Sequence, residues 1–180
     1  MKKKNRQKIL VTGGSGFIGS AITNHLVKNG HSVTVFDNNS RGKLRRLKDV
    51  LSKIKFKKGD IRDYKKLQSI SGNFDTVIHL AYVNGTKFFY KKPFEILDIA
   101  ANGLLNILRF SKEKKVKNFY LASSSEVYQN PIRFPTDESE MLKIPDIHNP
   151  RYSYGGGKIF SELYGIHFAK KYFKKFIIFR

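Results

Sequence analysis

Tyr154 and Lys158 stand four residues apart in "RYSYGGGKIF" (151–160), with Gly155, Gly156 and Gly157 between them. On a helix that spacing puts both side chains on one face. A lysine ammonium beside a phenol favours the phenolate and lowers its pKa from about 10. The result is a general base usable near neutral pH. Tyr152, six residues before Lys158, points elsewhere and reads as loop packing. Three glycines cost a helix interior about 2–3 kcal/mol against alanine. In a first turn, where the N–H groups are unpaired anyway, the cost is smaller. The expected gain is space beside Tyr154 and Lys158, for a ligand or for a partner's helix.

Ser123, Ser124 and Ser125 close the β-rich run "KNFYLASSS" (117–125), where an open α/β sheet presents its ligands. Serines there can also merely cap a turn. Glu126 follows them, either as an acid or bonded to nearby backbone or a lysine. The second chemical feature is "VTGGSGFIG" (11–19), which fits G-x-x-G-x-x-G through Gly13, Gly16 and Gly19, and G-x-G-x-x-G through Gly14, Gly16 and Gly19. Such a loop turns tightly, lets a pyrophosphate approach the backbone and presents it to a helix N-terminus. A β-rich run precedes it and a helical spacing follows, as a dinucleotide site requires. Asp37, 18 residues after Gly19, ends the next β-rich run. A carboxylate there accepts both hydroxyls of an adenosine ribose and repels a 2′-phosphate, which favours NAD over NADP. Arg41 softens that preference, and Asp37 could instead be a plain turn residue. Asp60 and Ile61 end a third run and border the adenine; Ala81, in "HLA" (79–81), is small enough to let the cofactor pass. His79 reads as a packed histidine and not a ligand.

These residues need positioning elements. β-rich runs at 8–12, 31–37, 54–60, 74–82, 117–125 and 176–180 alternate with helical spacings at 16–30, 63–71, 93–115 and 153–172. Residues 40–53 read as a basic helix or turn, and 129–150, with four prolines, as a loop. Alternation of this kind implies right-handed βαβ crossovers and a parallel sheet covered on both faces. Six strands suit the doubly wound order 3-2-1-4-5-6. The expected fold is α/β, a Rossmann-type doubly wound sheet of about six strands with helices on both faces, filling residues 1–180 as a single NAD-binding domain.

Composition narrows the function classes. The 180 residues are 40% hydrophobic, with 15 Phe and 9 Tyr, which is globular and not disordered. No apolar run reaches a membrane span. The basic start lacks an apolar h-region and does not read as a signal peptide. Cysteine is absent, so disulfides and thiolate metal sites are excluded and a reducing cytoplasm is expected. No metal site is expected. The net charge of +21 could attract polyanions. Its lysine clusters at 2–4, 43–48, 53–58, 112–117 and 170–175 are dispersed and carry no nucleic-acid motif, so no specific nucleic-acid partner is expected.

Taken in chain order, "TGGSGFIG" (12–19), "DNNSRG" (37–42), "GDIRD" (59–63), "HLA" (79–81), "NG" (102–103), "SSSEVY" (123–128) and "YGGGK" (154–158) resemble the extended short-chain dehydrogenase/reductase family. The likeness is to its NAD-dependent nucleotide-sugar epimerases and dehydratases. It implies that Tyr154 is the base that takes a sugar hydroxyl proton while hydride passes to NAD. It implies that Lys158 holds the nicotinamide ribose, that Ser124, four before Tyr128, bonds the reacting oxygen, and that Glu126 is an acid. Cofactor contacts would come from Gly13, Gly16, Phe17, Ile18, Gly19, Asp37, Asn38, Asp60, Ile61, Leu80, Ala81, Tyr82 and Asn102. Asn84, Thr86, Ser124 and Ser125 would meet a UDP-sugar. A 4-epimerase activity in polysaccharide biosynthesis leads, with decarboxylase, dehydratase and non-catalytic NAD-binding module as alternatives. Ser125-Glu126, in place of an Asp-Glu pair, weakens dehydration and leaves decarboxylation open. "VYQ" replaces the family's "VYG" at Gln129. The resemblance also implies a homodimer through the 93–115 and 153–172 helices. It implies a C-terminal substrate domain that these residues lack, hence little turnover by this chain alone.

Overall fold

The computed structural model describes residues 6–180; the expected cluster at 2–4 lies outside them. Six short strands form one parallel sheet: β1 (Lys8–Thr12), β2 (Ser32–Asp37), β3 (Lys55–Lys58), β4 (Thr76–His79), β5 (Asn118–Ala122) and β6 (Lys175–Phe179). The order is β3-β2-β1-β4-β5-β6, as the alternation of elements predicts. β1 pairs with β2 through Thr12 and Phe36 and with β4 through Thr12 and His79. The central strands are buried on both faces, with Leu10, Val11, Val35, Phe36 and Val77 fully enclosed. That is why they read as continuous apolar runs and not as alternation.

One face is covered by α1 (Phe17–Lys28) and two 3₁₀ turns, Leu44–Leu47 and Leu51–Lys53. Leu47 and Val50 pack there against Ile9, Val11, Val33 and Val35. Residues 40–53 thus adopt the turn alternative. The opposite face is covered by α2 (Tyr64–Gln68), α5 (Leu104–Glu113) and α6 (Ser153–Tyr172), around Leu67, Ile107, Leu108 and Phe119. Asp63 caps α2 by accepting from the Lys66 N–H at 3.0 Å.

The helix expected over 93–115 is interrupted. It consists of α4 (Pro93–Asp98), a π turn (Ile99–Gly103) and α5, and a further helix, α3 (Thr86–Lys91), precedes it. Gly103 explains the break locally, because a Cβ there would lie 2.5 Å from Ile61 Cδ1. The backbone widens where it must pass over the end of β3. Arg62 fastens the same region, bridging Asp60 at 2.8 Å and Asp98 at 3.0 Å. No described helix is long and apolar enough to cross a membrane.

Candidate functional site

β1 is the switch strand of the sheet, with β2 on one side and β4 on the other. Their connections leave in opposite directions, which opens a crevice at the carboxyl ends. A cleft of about 820 Å³ occupies it. It runs from the glycine loop past Asp37 and Asp60 to Ala122, Tyr154 and Lys158.

The loop after β1 shows which glycine register operates. Gly13, Gly16 and Gly19 line the cleft, whereas Gly14 faces Val35 and Thr23. Gly13 has φ +73°, and a Cβ on it would lie 2.7 Å from the Ala81 nitrogen. A Cβ on Gly19 would lie 2.1 Å from the Gly13 carbonyl oxygen. α1 begins at Phe17 with no side-chain cap and no acidic residue in its first turn. Its N–H groups and positive dipole end therefore face the cleft without a competing anion. Phe17 and Ile18 are exposed and line the opening.

Asp37 ends β2 almost wholly buried. Its Oδ2 accepts from the Ser15 N–H at 2.9 Å and its Oδ1 from the Asn39 N–H at 2.8 Å. The carboxylate is thus locked against the glycine loop. Asp60 is held below the usual carboxylate range, chiefly by the Arg62 guanidinium. Asn38 joins it, donating to Asp60 Oδ2 at 3.0 Å. Ile61, Leu80, Ala81, Tyr82 and Asn84 also line the cleft. His79 is buried below it, with Nδ1 2.7 Å from Thr12 Oγ1, and burial pushes it down to about 3. It stays a neutral packed histidine, as expected.

At the far end, Tyr154 and Lys158 occupy the first turns of α6, both buried. The Tyr154 ring stacks on Phe89 at 5.0 Å and meets the edge of Tyr82 at 5.2 Å. The Ser124 side chain acts on its phenol. Lys158 Nζ donates to the Ala122 carbonyl at 2.7 Å and lies 3.9 Å from the Tyr82 ring centroid. The expected fall of the Tyr154 pKa does not occur in the free chain. Burial pushes this phenol up, the Ser124 hydroxyl opposes that, and Glu126 adds to the rise. Burial also lowers Lys158, to about 7, so the ammonium is itself only partly charged near neutrality.

Several expectations are corrected. Asn102 is exposed on the π turn, donates to Asp98 Oδ1 at 2.6 Å and does not line the cleft. Thr86 starts α3 on the solvent side, also away from the lining. Ser124 does not line the cleft, its hydroxyl accepting from the Glu126 N–H at 3.2 Å, and Ser125 is exposed and borders a neighbouring hollow with Tyr128 and Arg180. The three glycines of α6 do not leave room for a ligand. A Cβ on Gly157 would lie 2.3 Å from the Tyr82 hydroxyl, and one on Gly155 would lie 2.6 Å from Gln129 Nε2. The chain itself fills that space. Gln129 sits at φ +53°, a left-handed conformation in which a glycine would be at ease, and its amide donates to the Glu126 carbonyl. Glu126 pairs with Arg151 at 2.7 Å, neither of the partners foreseen for it. Tyr152 ends a 3₁₀ turn before α6 and is outside the cleft. Ser123, expected at the ligand end of its strand, lines the cleft, and Arg46 and Arg180 line it without having been expected there. Arg180 carried no motif, and only the position of β6 brings it in.

A doubly wound parallel sheet with an uncapped glycine loop at its switch strand defines a dinucleotide-binding domain. The donor set suits such a cofactor: a bare backbone cradle that a Cβ on Gly13 or Gly19 would fill, and a buried carboxylate at the end of β2. Residues 9–180 match the NAD dependent epimerase/dehydratase family, and the chain belongs to it. The UDP-N-acetyl-alpha-D-glucosaminuronate decarboxylase of Bacillus cytotoxicus is 36% identical over 123 residues, 68% of this chain and 38% of that protein. The UDP-glucose 4-epimerase of Mus musculus is 33% identical over 168 residues, 87% of this chain and 47% of that one. The solved UDP-glucose 4-epimerase of Thermotoga maritima, with UDP-glucose, superposes at a TM-score of 0.82 and 32% identity, covering 92% of this chain and 52% of that one. The chain thus spans about two-fifths to half the length of these relatives. The family's members are NAD-dependent enzymes, and NAD is its cofactor.

Proposed function

We propose that these residues form the NAD-binding domain of a nucleotide-sugar 4-epimerase. The observation that carries this reading is the Tyr154–Lys158 pair lining one end of the cofactor cleft, with the Ser124 hydroxyl acting on the phenol. NAD, when bound, accepts and returns a hydride at the sugar carbon. With NAD bound, its positive nicotinamide ring would favour the Tyr154 phenolate, which then takes the proton of the sugar hydroxyl, and Ser124 would orient the phenolic oxygen. Lys158 donates to the nicotinamide ribose, and the aromatic wall of Phe89 and Tyr82 excludes water from the phenol. Gly13, Gly16 and Gly19 cradle the pyrophosphate, Asp37 receives the ribose hydroxyls, and Asp60 and Ile61 border the adenine. Asn84 faces the substrate side. The substrate is a UDP-sugar, and the remaining grip on it comes from outside these 180 residues. A homodimer through α4 and α6 is supported by the exposure of Phe94, Leu97, Leu163 and Tyr164. The setting is cytoplasmic.

A second reading is decarboxylation of a nucleotide-uronic acid. Glu126 and Arg151 favour it, since they place an acid and a cation next to Tyr154. A decarboxylase is also among the relatives. Proton NMR of UDP-glucose and UDP-glucuronate, each incubated with the chain and NAD, separates the two. Inversion at carbon 4 supports epimerisation, and loss of the carboxylate supports the second reading. NAD binding with neither change over a long incubation would leave a non-catalytic NAD-binding module.

A further inference from the structure

Arg41 crosses the cleft from one wall to the other. Its backbone belongs to the loop after β2, yet its guanidinium lies 4.8 Å from the ring centroid of Phe88, in α3. Nη1 lies over Gly85, where a Cβ would stand 3.5 Å from it. Gly85 sits at φ +130° in the loop after β4, and its carbonyl accepts from the Phe88 N–H at 2.8 Å. β1 lies between β2 and β4 in the sheet, so the side chain passes in front of the glycine loop. Arg41 and Gly85 both line the cleft. The loop that carries Arg41 is fastened to the glycine loop. Arg46 Nη1 donates to the Arg41 carbonyl at 3.3 Å and to the Ser15 carbonyl at 3.4 Å, and the Lys43 N–H donates to the Ser15 carbonyl at 3.0 Å. The backbone is thus anchored, while the exposed guanidinium rests on an aromatic face. Among the described residues no carboxylate pairs with it; the ion pairs there belong to Arg62, Lys92, Arg109, Arg151 and Arg180.

We propose that Arg41 is a strap for the cofactor pyrophosphate: with a dinucleotide in the cleft, its guanidinium leaves the Phe88 face and closes over the phosphate oxygens opposite the glycine loop. This rests on the reading that Gly13, Gly16 and Gly19 cradle that group. The cradle has no cation of its own, since residues 13–19 include no Lys or Arg. A pyrophosphate bridge carries about two negative charges, and a helix N-terminus offsets roughly half of one. A guanidinium supplies the missing charge as a planar fork that matches phosphate oxygens. The exchange is favourable, because an exposed cation on a phenyl face is held more weakly than a charge-assisted bond to phosphate. A 2′-phosphate is the poorer occupant. It would fall against Asp37, whose oxygens accept from the Ser15 and Asn39 N–H groups. Arg41 makes no pair with that carboxylate and reaches across β1 to Gly85 instead.

The test is calorimetric titration of NAD, NADP, ADP and adenosine into the wild type and its variants. Arg41→Gln should weaken NAD and ADP by about tenfold each and adenosine by less than about twofold, because adenosine has no phosphate to hold. Arg41→Lys, which keeps the charge and loses the fork, should weaken NAD by about threefold. Phe88→Leu removes the resting place of the guanidinium and leaves the phosphate contact intact. Its NAD affinity should hold, or rise by up to about twofold. The melting temperature of the free Arg41→Gln chain should stay within about 1 °C of the wild type, since the side chain is exposed. An equal loss for adenosine, or a loss of NAD affinity in Phe88→Leu as large as that in Arg41→Gln, would make the stack a plain packing contact and overturn the strap. Unchanged NAD and ADP affinity in Arg41→Gln, with or without a loss for NADP, would overturn it too. A wild type that binds neither NAD nor ADP would overturn the cradle reading as well.

Discussion

Lys158 Nζ donates to the carbonyl oxygen of Ala122 at 2.7 Å. That bond ties the first turns of α6 to the last residue of β5, 36 positions earlier in the chain. It sets the cleft end of α6 against the strand that carries Ser123 and Ser124. The lysine is buried without a carboxylate touching it directly, which makes its charge sensitive to pH and to more distant groups. The predictions below follow from this arrangement and from the glycine loop.

Tyr154→Phe should abolish turnover while leaving NAD affinity within about twofold. Loss of a positioned general base costs about 10²–10⁴-fold in rate. Stability should change by no more than about 1 kcal/mol, since the ring and its packing on Phe89 and Tyr82 are kept. Steady-state rates and NAD titration on the same preparation check both parts.

Gly19→Ala should destroy the cofactor loop, whereas Gly16→Ala should spare the fold. A Cβ on Gly19 meets the Gly13 carbonyl at 2.1 Å and Gly14 Cα at 2.8 Å, all backbone that cannot give way. The nearest atom to a Cβ on Gly16 is 3.2 Å away. Expected costs are about 1–3 kcal/mol for the first and under about 1 kcal/mol for the second. Urea midpoints check the stabilities. NAD titration should show weakened binding in both, because both residues line the cleft.

Lys158→Met should stabilise the free chain at pH 6 and lose that advantage towards pH 10. Unfolded, the lysine keeps its proton to about 10.5; folded, it releases it near 7. Between those values the unfolded state binds more protons, so wild-type stability rises with pH. Below 7 the burial penalty stands in full, on the order of 5 kcal/mol. The difference in melting temperature between variant and wild type, at pH 6, 8 and 10, should shrink steadily.

His79 should make the chain acid-labile. Its unfolded pKa is near 6.5 and its folded value about 3, so the unfolded state takes up the proton first. Stability from this site is intact above 6.5 and falls as pH drops towards 3. In His79→Gln, which can still bond Thr12, the loss of stability between pH 6.5 and 4 should be visibly smaller. Urea unfolding across that range measures it.

The amino-acid sequence by itself determined the alternation of strands and helices, and with it the doubly wound sheet. Apolar runs of four to six residues bounded by Gly, Asn and Asp leave few other arrangements. It also determined the glycine loop, Asp37 and the Tyr154–Lys158 pair, because each depends on residue types at short fixed spacings. Contacts between segments distant in the chain were decided by the tertiary structure alone. Gly14 or Gly13 could have opened the loop motif; Val35 on β2 occupies the space against Gly14 and settles it. Asn102 lay in a motif-bearing pair, yet the π turn beside Ile61 turns it to solvent. The ionisation of Tyr154 could not be read from a lysine four residues on. It follows from how deeply Phe89 and Tyr82 bury the phenol, and neighbouring spacings do not encode desolvation. Glu162 stands in no sequence motif named above, and only the placing of β6 brings Arg180 against it.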